Sequence, residues 1–163
     1  MKKILLVLLL IMALVMAGCG EKKEVKPVTD GLQCDISVSY NGMQIKGRLQ
    51  KPKDGTCAIK ITDPPALAGV TMSFTEKGVK LGYLGLSYTL SADALPETGF
   101  GQILVNTLNN AKTGLSGTKS GDEYILKGSG ETGSFTLTVD QNALPKKLSV
   151  PSAGFEADFH NYK

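Results

Sequence analysis

The chain has 163 residues, a formal net charge of +3, 19 glycines, one histidine and no tryptophan. That length suits one domain with a true core and is too short for two comfortable ones. No long basic run stands out, which argues against a nucleic-acid partner.

Lys2 and Lys3 open the chain with a short positive stretch, and Ile4 to Val15 is unbroken and apolar. Met16-Ala17-Gly18-Cys19 closes it with small residues before a thiol. These three parts match a secretory signal, which is removed and takes no part in the fold. The segment resembles the lipobox of bacterial lipoproteins, in which the Cys receives a diacylglyceryl group and becomes the new N-terminus. Met16 stands where Leu is usual. The resemblance implies a signal peptide over residues 1–18, lipid attachment at Cys19, and an exported protein anchored to the extracytoplasmic face of a bacterial membrane. Gly20 lacks the Asp associated with inner-membrane retention. Two other readings stand beside this one. An uncleaved span would need about 20 apolar residues, more than Ile4 to Gly18 supplies; a freely secreted form would make Cys an odd choice at position 19.

Loss of Lys2 and Lys3 takes the net charge from +3 to +1. Two or more acyl chains hold a protein stably on a bilayer, at ~0.8 kcal/mol per buried CH₂. Residues 19–31, charged and broken by Pro27, read as the lipidated N-terminus and a flexible tether with a reach of roughly 20 Å. A single β-rich domain is expected over residues 32–163.

From Leu32 onward the pattern has period two, the signature of half-buried strands. Cys34, Ile36, Val38 and Tyr40 alternate with polar residues, and Asn41-Gly42 follows as a strong hairpin signal. Met43, Ile45 and Leu49 continue the inward set, Pro52-Lys53-Asp54-Gly55 turns the chain, and Cys57, Ile59 and Ile61 resume it. Asp63-Pro64-Pro65 cannot continue a central strand, because proline gives no ladder donor. Val70, Met72 and Phe74 then face Val79, Leu81 and Tyr83 across Lys77-Gly78, and Leu86, Tyr88 and Leu90 add a short strand.

A change of period follows. Phe100, Ile103, Leu104, Thr107, Leu108 and Ala111 stripe one face of a helix, with Thr98 as N-cap and Gly114 as its stop. Strand signals return at Tyr124 to Leu126, with a turn expected over Gly128 to Gly133. Phe135, Leu137 and Val139 alternate cleanly, Leu148 and Val150 follow the Asn142-to-Pro145 connection, and Phe155, Ala157 and Phe159 make the last strand. The expected fold is mainly β (α+β): a curled antiparallel sheet or incomplete β-barrel of about nine or ten strands, with one amphipathic helix covering its concave face.

Several stretches carry a resemblance: Pro64-Pro65-Ala66-Leu67-Ala68-Gly69 before a strand, the single helix after Leu95-Pro96, the run Gly133 to Asp140 leading to Leu144-Pro145, and the terminal Phe159-His160-Asn161-Tyr162. Over most of Leu32 to Lys163 the sequence resembles the lipoprotein-carrier (LolA-like) superfamily. The resemblance implies an incomplete antiparallel barrel whose hydrophobic hollow is covered by helices. The carriers usually begin with a helix after the leader, whereas strands start almost at once here.

Catalytic signatures do not emerge from the residue pattern, and no cofactor or metal is expected. Register places Cys34 and Cys57 on either side of Leu49, ~9.5 Å apart across two strand spacings. A disulfide needs Cα atoms closer than about 7 Å, so two buried thiols are expected, and a bond would require another strand order. His160, on the terminal strand, reads as an outward solvated residue, with no nucleophile elbow to serve it. Asp63, Asp93, Asp122, Asp140 and Asp158 sit singly at turns or polar faces. The helix stripe has two readings. It is a core helix on the concave sheet, or a lid over a cavity lined by Met43, Met72, Phe74, Leu81, Phe100, Leu104 and Phe135. The first expectation for function is therefore a non-enzymatic envelope lipoprotein binding a lipid or acyl chain. The alternative is an interaction or envelope-sensing module with a filled core. An empty apolar cavity of several hundred Å³ beneath Phe100 to Ala111 would favour the former.

Overall fold

The computed structural model describes residues 22–91, 94 and 99–163. Cys19, Asp93 and Thr98 lie outside the described residues, as does the proposed signal peptide. Among the described residues twelve strands form one antiparallel sheet, and the order along it begins β1 (Lys22–Val25), β8 (Leu115–Ser120), β9 (Glu123–Gly130), β10 (Gly133–Asp140), β11 (Pro145–Val150). It continues β12 (Phe155–His160), β2 (Leu32–Tyr40), β3 (Met43–Lys51), β4 (Cys57–Asp63), β5 (Thr71–Thr75), β6 (Gly78–Tyr83), β7 (Leu86–Ser91). The sheet does not close: β1 and β7 are its two ends. The chain's last strand, β12, joins the two halves by pairing with β2, from Phe155↔Tyr40 to His160↔Asp35.

The period-two reading holds through the central strands. In β2 the buried residues are Leu32, Cys34, Ile36 and Val38, and in β12 they are Phe155, Ala157 and Phe159. Asn41 and Gly42 both take positive φ (48° and 82°), as a type I′ hairpin turn requires. Curl is built in by register shifts between Lys46 and Gly47 in β3 and between Thr138 and Val139 in β10. Such bulges bend a strand and tighten its twist. At Gly47 a Cβ would lie 2.7 Å from the carbonyl oxygen of Lys60, so only glycine admits the close approach.

The helix α1 (Phe100–Ala111) lies on the inner face, packed against β9 and β12. Ile103, Leu104, Leu108 and Ala111 are wholly buried, matching the expected stripe. Gly99 flanks its start in an extended conformation.

Twelve strands replace the expected nine or ten, and the additional two are β1 and β8. Neither carries an apolar alternation: β1 is Lys-Lys-Glu-Val, and β8 is Leu-Ser-Gly-Thr-Lys-Ser. They pair with each other in register Lys22↔Thr118 to Val25↔Leu115. The stretch expected to be a flexible tether is therefore ordered from Lys22 on. Pro27 and Thr29 are buried, and the Val28 N–H donates to the Ala143 carbonyl. The turn expected over Gly128 to Gly133 is also corrected, since β9 runs to Gly130 and Gly128 pairs with Phe135. Gly128 is small because the Phe135 ring lies over it.

Candidate functional site

β5, β6 and β7 put their apolar residues on one face. Cross-strand pairs Met72↔Leu81 and Phe74↔Val79 continue into β7 as Leu81↔Tyr88 and Val79↔Leu90, with Tyr83↔Leu86 beyond. The N-terminal turn of α1 lies over one end of this face. Gly101 permits the contact: a Cβ there would sit 2.6 Å from Phe74 Cζ and 3.2 Å from Met72 Cε. Beneath that turn a recess of about 120 Å³ is lined by Met72, Phe74, Val79, Leu81, Leu90 and Phe100. Leu81 also belongs to an adjoining open groove of about 400 Å³, whose walls include Val70, Tyr83, Leu86 and Tyr88.

Beyond the helix the apolar row continues into solvent. Leu86 is 78% exposed, Tyr88 67% and Tyr83 45%. Leu84, at the tip of the β6–β7 turn, is 82% exposed and holds φ at 48°. Left-handed backbone is costly for leucine and ordinary for Gly or Asn. Charge is nearly absent here. Residues 64–75 contain none of Asp, Glu, Lys, Arg or His, and residues 78–91 contain only Lys80, on the opposite face. Contiguous exposed apolar residues of this kind make the face a candidate contact surface.

The seven residues expected to line a cavity divide into three groups. Met72, Phe74, Leu81 and Phe100 meet at the recess. Leu104 and Phe135 are 0% and 3% exposed and belong to the closed core. Met43 is 52% exposed and lies apart from the recess. It shares its face with Ile45 but directly follows the Asn41-Gly42 turn, past the end of the core. Beneath the middle of α1, Ile103, Leu104 and Leu108 are buried in the core cluster, as the core-helix reading expected, and the open groove of about 400 Å³ lies to one side, along β6 and β7.

Cys34 and Cys57 are free and buried. Cys34 does face Leu49, but Leu49 pairs onward with Ile59 rather than Cys57. Burial pushes both thiols up to about 12. His160 is exposed opposite Asp35. Asp140 caps a turn by accepting from the Asn142 and Leu144 N–H groups, and Asp122 accepts from Gln141. No group of His, Cys, Asp and Glu among the described residues could hold a metal. No described helix is long and apolar enough to cross a membrane.

One polar cluster escaped the sequence reading. Lys51 ends β3 on the inward parity and its side chain is wholly buried, paired with Asp30 Oδ1. Lys112 Nζ, just past the helix, reaches Asp30 Oδ2 at 2.9 Å. Asp30 thus ties the chain before β2 to both sheet and helix. Burial works to raise its pKa, but the hydrogen bonds and charges of the two lysines outweigh it and hold the carboxyl below 3.8. The parity of Ile45, Leu49 and Lys51 was the available signal for the lysine; nothing local marked its partner.

No protein-family model matches the chain, and no curated protein matches it in sequence. Solved structures do resemble it. An uncharacterized conserved protein from Thermus thermophilus aligns over 83% of this chain and 79% of its own, with 10% identity and a TM-score of 0.51. That is a likeness of fold. A LolA superfamily protein from Nitrosomonas europaea aligns over 85% of this chain and 88% of its own, at 14% identity and a TM-score of 0.43. A DUF1329 family protein from Desulfovibrio piger covers 93% of this chain and 89% of its own, at 11% identity and a TM-score of 0.38.

Proposed function

We infer that this is a non-enzymatic lipoprotein of the bacterial cell envelope, anchored through Cys19, which holds a hydrophobic ligand of the acyl-chain class on the inner face of β5–β7. The observation that carries this reading is the uncharged apolar groove of about 400 Å³ running into the Met72–Phe74–Phe100 recess. That volume lies within the usual range of ligand sites, roughly 300–1,000 Å³. Met72 supplies a flexible, polarizable wall suited to an irregular chain. Tyr83 and Tyr88 offer hydroxyls at the groove's outer rim, where the polar end of an amphiphile would lie.

Binding of cis-parinaric acid, a fluorescent fatty acid, tests the ligand. Saturable fluorescence enhancement is expected, displaced by palmitate and lost in Leu81→Glu. Absence of binding by folded wild-type protein would remove the ligand reading. Labelling with radioactive palmitate tests the anchor, with incorporation expected in the wild type and not in Cys19→Ser. The burial of Ile103, Leu104 and Leu108 in the core supports a second reading, in which the same exposed row contacts an envelope protein. Native mass spectrometry of the purified protein separates the two, since only the first leaves a lipid bound.

A further inference from the structure

The two ends of the sheet are built differently. β1 has four residues, of which Lys22, Lys23 and Glu24 are charged. A short, charged edge resists pairing with another chain. β7 at the other end has six residues, Leu-Ser-Tyr-Thr-Leu-Ser, with neither charge nor proline. Its pairing with β6 runs from Gly78↔Ser91 to Tyr83↔Leu86 without a register shift. Among the described residues no strand lies along its outer side. The strand itself carries no charge, proline or bulge of the kind that usually blunts an edge.

The hairpin fixes which backbone groups face outward. Leu84 and Gly85 both hold positive φ, 48° and 84°, as the two central residues of a type I′ turn. Tyr83 and Leu86, which flank them, then form a hydrogen-bonded pair. Alternation along the strand aims the N–H and C=O groups of Leu86, Tyr88 and Leu90 at β6. Those of Ser87, Thr89 and Ser91 point away from the sheet.

We propose that β7 pairs antiparallel with β7 of a second copy of this chain, about a twofold axis at Tyr88, joining the two sheets edge to edge. An axis perpendicular to the sheet keeps both inner faces on the same side, so partners must share parity. Leu86 of one copy then faces Leu90 of the other, Tyr88 faces Tyr88, and Ser87 faces Thr89. The Ser87–Thr89 pairs are the hydrogen-bonded ones and use the outward backbone groups. The Tyr88 pair is of the non-hydrogen-bonded type, where side chains approach most closely.

Aromatic pairs and Ser/Thr pairs are favourable across strands, whereas like charges facing each other are not. β7 brings the first two and no charge. A strand complementary to itself is what a twofold contact requires. The dimer would also align the Leu86–Tyr88–Leu90 rows of both copies into one longer apolar groove. Edge pairing of this kind is independent of what occupies that groove.

Cysteine placement in the full chain, purified in detergent, reads the register directly. Tyr88 Cα atoms about 4.5 Å apart in a non-hydrogen-bonded pair lie within disulfide range. In a Cys19→Ser background Tyr88→Cys should therefore give mostly a reducible dimer on oxidation, and that background alone should not, because Cys34 and Cys57 are buried. Leu86→Cys alone should fail, its two copies being ~13 Å apart along the strand. Mixing Leu86→Cys with Leu90→Cys protein should restore the cross-link. Light scattering should give twice the monomer mass for the wild type and the monomer mass for Ser87→Lys/Thr89→Lys, which sets lysines opposite each other. A monomeric wild type overturns the proposal. So does a dimer indifferent to the lysine pair, or Leu86→Cys cross-linking to itself as readily as Tyr88→Cys.

Discussion

Removing the two members of the Lys51–Asp30 pair should have unequal consequences. Lys51 has a wholly buried side chain, while Asp30 is 29% exposed and keeps a second cation, Lys112, at 2.9 Å. Asp30→Ala leaves a buried ammonium without its counter-charge. Breaking a buried pair from one side costs about 3–5 kcal/mol, and the partial exposure of Asp30 places this case near the lower figure. Lys51→Met removes the buried charge, keeps an unbranched apolar stem, and leaves Asp30 with Lys112. Its cost should be under about 1 kcal/mol. Urea unfolding followed by far-UV circular dichroism reads the difference. At a slope of ~1–3 kcal/mol per molar urea, Asp30→Ala should lower the midpoint by about 1–3 M. The double variant should recover most of that loss. Equal effects of the two single changes, or an Asp30→Ala midpoint unmoved from wild type, would refute the reasoning. The pH dependence follows in sign. A carboxyl held below 3.8 in the folded state contributes stability that is complete above the unfolded value and lost as pH falls through the folded one. The gap between wild type and Asp30→Asn should therefore be widest near neutrality and narrow below about pH 4.

Iodoacetamide at pH 8 should leave Cys34 and Cys57 unmodified in native protein, because both thiols titrate near 12, and alkylate both in urea. Peptide mass spectrometry reads each site; native labelling of either would contradict their burial. Leu84→Asn should raise Tm by ~2–5 °C, since it relieves a left-handed leucine at a site with almost no packing to lose. A lower Tm would mean Leu84 is held by contacts within the molecule. Gly128→Ala should cost about 1–3 kcal/mol, because its methyl would meet the Phe135 ring, a rigid group fixed in the core. Thermal unfolding measures this, and a neutral effect would mean the ring has room to shift.

The central strands were legible because their inner faces alternate with polar ones, as in Cys34 to Val38 and Phe135 to Val139. The helix was legible for the same reason at a different period. β1 and β8 were not, since their neighbours supply the pairing and their own side chains carry no apolar rhythm. Gly128 misled because glycine marks a turn locally, whereas here it accommodates a ring from the next strand. The recess was half legible. Met72, Phe74, Leu81 and Phe100 were named by apolar character, but which part of the face the helix covers depends on where a 12-residue rod comes to rest. Asp30 stood no chance, because its partners lie 21 residues away on a strand and beyond the helix.

The position of β1 changes how the proposed anchor would hold the domain. A tether running to Gly31 would leave the domain free at roughly 20 Å reach. With β1 hydrogen-bonded to β8 from Lys22 on, only Gly20 and Glu21 separate Cys19 from the sheet, and the three steps span at most about 10 Å of extended chain. The helix ends beside that edge, where Glu24 lies against Gly114, and begins at the groove, where Gly101 meets Phe74. Twelve residues at 1.5 Å each put the two about 18 Å apart. Acylation of Cys19 would thus fix the distance and the face at which the groove meets the bilayer. Lengthening the link between Cys19 and Lys22 by ten glycine and serine residues should leave membrane fractionation unchanged. It should weaken whatever transfer or docking depends on that fixed approach, as measured by photo-crosslinking from position 84 to bilayer lipid. Equal lipid cross-linking with the short and long links would show that the close tether has no bearing on how the groove is presented.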